Sequence, residues 1–310
     1  MSYTGPDLDP PQPRRPRRGP LTVALAALVP GALLGWLVYE AVGGGSDGED
    51  RTASPAPATH GSPLSSAPAS APGADGKASA PASAGQLKGT VVVVDPGHNP
   101  GNFRHTAEID RPVDIGTNRK ECDTTGTSTD DGYSEARFTL DLAHRLRAVL
   151  ERQGATVKLT HDGGGPPWGP CVDERARIGN AAHADAAISL HADGSAAGNR
   201  GFHVILPGSV HSGAADTRGI VGPSHDLGVR IAGAYLRETG EPPSNYLGGG
   251  TGLVTRTDLG GLNLSTVPKV FIECGNMRDS KDAALLTSGA WRQRAAQGIS
   301  EGIVSFLRES

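Results

Sequence analysis

Cysteine is scarce, with 3 in 310 residues. That is too few for a disulfide scaffold and leaves room for one bridge plus one free thiol if the domain lies outside the cytosol. An excess of charge is also missing. The formal net charge is −4, so nothing points to a nucleic-acid partner. Aromatic residues make up 4% and hydrophobic residues 36%, which over this length allows one or two domains. The glycine run Gly248-Gly249-Gly250 lacks the strand–turn–helix setting of a phosphate loop, so nucleotide binding is discounted.

Charge is absent altogether from residues 21–39, which follow Arg14, Arg15, Arg17 and Arg18. The run is long enough to cross a bilayer as a helix. Arginines before it and none close after it place the N-terminus in the cytoplasm. Residues 1–20 are then a cytoplasmic tail and 21–42 a single-pass signal anchor, with the remainder outside the cytoplasm. Secretion after cleavage is the alternative, but no clear small-x-small site follows the run. Residues 43–86 are mostly Gly, Ser, Ala, Pro and Thr. They bury too little apolar surface to offset the entropy of ordering, and read as a disordered linker. The folded domain is expected over residues 87–310.

What is present in that domain is organised around VVVVDPGH at 91–98. Four β-branched residues suit a strand buried on both faces. Asp95-Pro96-Gly97 ends it, and His98 is left at the strand's C-terminal end, where parallel α/β sheets build their sites. The polar stretch 99–132 is a long loop, of the kind that is usually functional. Residues 133–153 read as a helix with Phe138, Leu142, Leu146 and Val149 as its apolar stripe. Glu135 falls on that same stripe, and a carboxylate there needs a partner, unless it merely suits the positive helix end.

Further strands are expected at 156–160, 186–190, 201–206 and 269–272, and further helices at 172–183, 225–238, 279–288 and 291–309. Residues 242–268 read as a second loop. The alternation argues an α/β fold with a mostly parallel, doubly wound sheet flanked by helices. His191 then repeats the placement of His98, and the fifth strand runs directly into Glu273. His203, in mid-strand, reads as a packed or surface residue. Two histidines and a carboxylate are a common catalytic zinc set with a fourth position left to water. A second carboxylate is needed to move the water's proton, and Glu273 fits by position.

Four segments in order, VDPGHNPGN, GYSEARFTLDLAHRLRAVLERQGATVKLT, ERARIGNAAHADAAISLHAD and PKVFIECGNMRD, resemble the zinc-dependent N-acetylmuramoyl-L-alanine amidases of the type-3 amidase family, above all their exported actinobacterial members. The resemblance implies Zn²⁺ held by His98, Glu135 and His191, with Glu273 as the catalytic acid–base. It implies peptidoglycan as substrate, cut at the amide between N-acetylmuramic acid and L-alanine. A zinc peptidase cutting elsewhere on the stem peptide and a non-catalytic wall-binding regulator are the alternative readings. Arg175 and Asn180 match recurring family residues and read as structural. Cys122 and Cys171 lie in loops beside the presumed site and are expected to form a disulfide. Cys274 is expected to be a buried free thiol, with a zinc role as the lesser alternative. No separate wall-binding module is visible, and a monomer is expected. Residues 99–132 are expected to gate the groove.

Overall fold

A computed structural model describes residues 85–309. The expected tail and anchor, and all but the last two residues of the expected linker, lie outside the described residues. Among the described residues no helix is long and apolar enough to cross a membrane. Leu87, the expected first residue of the domain, is buried, and its N–H donates to the Gln153 carbonyl at 2.9 Å.

The strands are β1 (Val91–Pro96), β2 (Pro112–Asp114), β3 (Arg119–Glu121), β4 (Thr156–Leu159), β5 (Ala186–Asp193), β6 (His203–Pro207), β7 (His211–Ser212), β8 (Ala215–Asp216), β9 (Leu253–Arg256) and β10 (Lys269–Asn276). The helices are α1 (Thr106–Ile109), α2 (Glu135–Arg152), α3 (Val172–Ala181), α4 (Val221–Thr239), α5 (Gly260–Asn263), α6 (Ser280–Leu286) and α7 (Gly289–Glu309). Six strands make one sheet in the order β4-β1-β5-β10-β6-β9. The first four are mutually parallel. β6 runs antiparallel to β10, and β9 is parallel to β6. The mostly parallel α/β expectation therefore stands, with two strands reversed at one side.

One face of the sheet carries the main core. Val92, Val94, Ile188, Leu190, Val270 and Ile272 pack there with Phe138, Leu142 and Leu146 of α2, Leu227 and Ile231 of α4, and Ile299 and Ile303 of α7. Each such fully buried side chain contributes about 1.5–3 kcal/mol. The opposite face carries a smaller apolar cluster that includes Val93 and Ala187. It also carries the buried polar residues Asp95, Ser189 and Lys269. Apolar side chains on both faces explain why β1 and β5 read as unbroken hydrophobic runs rather than alternating ones.

Several boundaries differ from the sequence reading. The 99–132 loop contains α1 and the β2–β3 ribbon. The 242–268 loop contains the edge strand β9 and α5. β5 runs through His191 to Asp193, and β10 runs through Glu273 to Asn276, so both residues sit inside strands. β6 begins at His203, which opens the strand instead of lying in its middle. The reversal of β6 has a simple cause. Residues 194–202 hold no helix, and a parallel crossover needs a dozen or more residues.

Candidate metal centre

β1, β5 and β10 are parallel, so their C-terminal ends meet at one edge of the sheet. His98 lies just past β1 with φ 60, a left-handed conformation rare for a residue with a side chain. Strain of that kind is kept where surroundings over-determine it. Here the Gly97 N–H donates to the Leu190 carbonyl at 2.9 Å, and Arg175 donates to the His98 carbonyl at 3.0 Å. Gly97 itself admits no side chain, because a Cβ there would stand 2.3 Å from Cε1 of His191.

The His98 ring is oriented from behind. Its Nδ1 lies 3.1 Å from the Thr124 carbonyl and 3.4 Å from Oδ1 of Asp123. Nε2 is then turned to Oε2 of Glu135 at 3.2 Å. Glu135 opens α2 and is buried. Its Oε1 faces Nδ1 of His191 at 2.9 Å and accepts from the Ala192 N–H at 3.2 Å, while Oε2 accepts from the Thr127 N–H at 2.9 Å. The His191 ring stacks on Phe271, with centroids 5.3 Å apart. One ligand atom from each of His98, Glu135 and His191 lies within 4.8 Å of the other two. The sequence-derived trio is thus brought together from three elements.

This donor set fits a divalent ion. Two imidazoles and one carboxylate with no fourth protein ligand are the pattern of a catalytic zinc site. The electrostatics agree. Burial opposes charge on the His98 ring, yet Glu135 and Asp123 outweigh it and push its pKa well above the usual range. Burial likewise opposes charge on Glu135, and the two histidines outweigh it, holding the carboxyl well below the usual range. A field that draws a proton so strongly draws a dication as well. Gly126 closes over the centre, since a Cβ there would stand 2.7 Å from Oε2 of Glu135.

Glu273 pairs in register with His191 on the neighbouring strand, so the two side chains share a face. It is half-buried. Burial pushes its carboxyl well above the usual range, and Glu135 and Asp193 add to this against the opposing pull of His98 and Arg256. Its Oε2 is buried without a protein partner.

Around this group runs a buried ionic network. Arg175 donates to Asp95 at 2.7 Å, to Asp123 at 2.8 Å, and to the carbonyls of Pro96, His98 and Pro170. Asn180 donates to the Leu264 carbonyl and accepts from the Thr266 N–H, tying α3 to the segment before β10. Both residues are structural, as their sequence positions suggest. Cys122 and Cys171 form the expected disulfide, with Cα atoms 4.3 Å apart. Cys274 is a buried free thiol. It packs in the main core on the sheet face opposite Glu273, which overturns the lesser alternative of a zinc role. Beside the centre lies a cavity of about 210 Å³ lined by Val172, Leu259, Phe271, Lys120 and Asp258 among others.

Asp123, Thr124 and Thr127 orient the ligands, and the only local sign of it in the sequence is one acidic side chain in a polar loop. Their positions place the end of the 99–132 stretch in the wall of the centre.

A family model described as N-acetylmuramoyl-L-alanine amidase matches residues 92–305. An N-acetylmuramoyl-L-alanine amidase of Mycobacterium tuberculosis is 42% identical over 223 residues, which is 71% of this chain and 88% of that one. The crystal structure of the amidase Ami1 from Mycobacterium smegmatis is 39% identical, with a TM-score of 0.65 over 72% of this chain and 99% of that one. Ami1 from Mycobacterium abscessus is 37% identical, with a TM-score of 0.64 over 71% of this chain and 100% of that one. On these matches over most of its length, the chain belongs to the N-acetylmuramoyl-L-alanine amidase family.

Proposed function

We propose that this chain is a zinc hydrolase that cuts the amide between the lactyl group of N-acetylmuramic acid and the L-alanine of the stem peptide in peptidoglycan. The observation that carries the reading is the meeting of His98, Glu135 and His191 with Glu273 in register beside them. Zn²⁺ held by those three residues supplies Lewis acidity toward water and the scissile carbonyl when bound.

The remaining chemistry belongs to Glu273. Its carboxylate takes a proton from the attacking water as the C–O bond forms. The same carboxyl then gives that proton to the L-alanine nitrogen as the C–N bond breaks. Burial, with Glu135 and Asp193 beside it, raises this carboxyl from its usual range, the direction that helps it hold the proton between the two halves of the exchange. Asp123 and Thr124 hold the His98 ring, and Thr127 and Ala192 hold Glu135. A non-catalytic regulator has no use for this complete set.

We also propose that the domain is exported and held at the cell membrane by residues 21–42, with residues 43–86 as tether. The uncharged run supports the anchor, and the Cys122–Cys171 bridge suits an oxidising compartment. The test of the activity is digestion of purified peptidoglycan by residues 85–310, with and without a chelator. Mass spectrometry should find free L-alanine amines only without chelator. New amines elsewhere on the stem peptide would reassign the chain as a zinc peptidase.

A further inference from the structure

His203 is 2% exposed and stands directly opposite Glu273 in the antiparallel β10–β6 pair. Opposed residues of such a pair share a face, with Cβ atoms roughly 4.5–5.5 Å apart. Glu273 is in turn level with His191. A row His191–Glu273–His203 therefore crosses three adjacent strands at the edge where the metal centre lies. On its far side the His203 ring meets Tyr246 edge-on, with centroids 6.0 Å apart. The Tyr246 hydroxyl is engaged elsewhere, donating to Asp193 at 2.8 Å.

Nδ1 of His203 has no protein partner, and neither has Oε2 of Glu273 opposite it. A buried polar atom left so costs about 1–3 kcal/mol, and such atoms call for a reason, catalysis among them. An apolar ring would pack against Tyr246 without that cost. Burial pushes the His203 pKa below the usual histidine range, with Arg256 adding to this against Asp193. The ring is therefore neutral, with one N–H and one lone pair. A neutral imidazole can donate to Glu273 as a carboxylate and accept from it as an acid.

We propose that His203 is a positioning residue for the acid–base step: its Nδ1 engages the Glu273 carboxyl and keeps it turned toward the scissile amide. Catalytic hydrogen bonds are often long before substrate binds and tighten in the complex. The proposal rests on the amidase reading above, in which Glu273 carries the proton. It assigns His203 no contact with metal or substrate.

The test uses the full chain loaded with Zn²⁺ and a defined muropeptide. His203→Phe keeps a ring against Tyr246 and removes Nδ1; His203→Asn keeps a polar nitrogen or oxygen near the Nδ1 position. His203→Phe should lose about 10- to 100-fold in kcat with little change in KM, as misplacement of a reacting group does. His203→Asn should retain most of the wild-type kcat, and both should keep the wild-type zinc content. A His203→Phe chain with undiminished kcat, or a folded, zinc-loaded His203→Asn chain that has lost it, overturns the proposal. If His203→Phe does not fold, His203→Asn decides alone by the same criterion. A wild-type chain that frees no L-alanine amine sinks the amidase reading and this one together, whereas an active wild type with an equally active His203→Phe sinks only this one.

Discussion

Asp95 is buried among four donors: Thr160 at 2.6 Å, Arg175 at 2.7 Å, Ser189 at 2.9 Å and Lys269 at 3.4 Å. Burial alone would raise its carboxyl, but Lys269 and Arg175 outweigh that and hold it well below the usual range. Asp123 obeys the same balance, with burial outweighed by Arg175 and His98, and is lowered to about 2. Removing one member of a buried ion group leaves the others uncompensated, so Arg175→Met should cost about 3–5 kcal/mol. The sign of its pH dependence follows. A depressed carboxyl contributes stability above its unfolded pKa, near 3.8, and that contribution is lost as pH falls through about 2. Thermal melts should therefore show the gap between wild type and Arg175→Met to be widest above pH 4, narrowing as the pH drops toward 2. Glu273→Gln tests the other kind of residue. It should lower kcat by about 10²–10⁴-fold while zinc content, measured by atomic emission, stays at the wild-type level.

The elements show where residue patterns stop being informative. His98 and His191 could be read from the chain because each follows or ends a run of apolar, β-prone residues that is buried on both faces. Glu135 was legible as a carboxylate on an apolar stripe. His203 was not, because its meaning depends on the partner strand. Only the antiparallel register with β10 sets it opposite Glu273, and the clue was the short helix-free link after β5. The β2–β3 ribbon and β9 were hidden for a related reason. They are short, polar-flanked edge or surface pieces whose pairing, rather than local propensity, makes them strands.

The Cys122–Cys171 bridge joins the end of the ribbon segment to the N-cap of α3. The adjoining backbone is also tied, with the Val172 N–H donating to the Cys122 carbonyl at 2.7 Å. Cys122 directly precedes Asp123, which steadies His98. Closing a loop with 49 residues of separation stabilises the fold by about 2–4 kcal/mol. Cys122→Ser should lower the melting temperature by roughly 4–16 °C for a domain of this size, and reductant should lower the wild type by a similar amount and leave the variant unmoved. Equal melting of both proteins in oxidising buffer would remove the bridge from the list of stabilising features.

At the scale of the whole molecule, the described domain begins where its packing begins. Leu87 is buried in the main core and bonded to Gln153 at the end of α2. Among the described residues, the ligands of the centre and the residues that support them lie between Asp95 and Glu273. The proposed anchor and tether then act on location alone, by restricting the catalytic domain to wall within reach of the membrane. If the proposed tether of about 44 residues behaves as a random coil, its root-mean-square span would be roughly 33–40 Å, which would limit the depth of wall sampled. Two versions separate these roles, the full chain and a chain lacking residues 21–42 but carrying a cleavable export signal. Both should release L-alanine amines from soluble muropeptides at the same kcat/KM. Only the full chain should sediment with membranes and resist extraction by high salt. A full chain recovered in the soluble fraction, with its mature N-terminus lying beyond residue 42, would establish cleavage and replace the anchored enzyme with a secreted one.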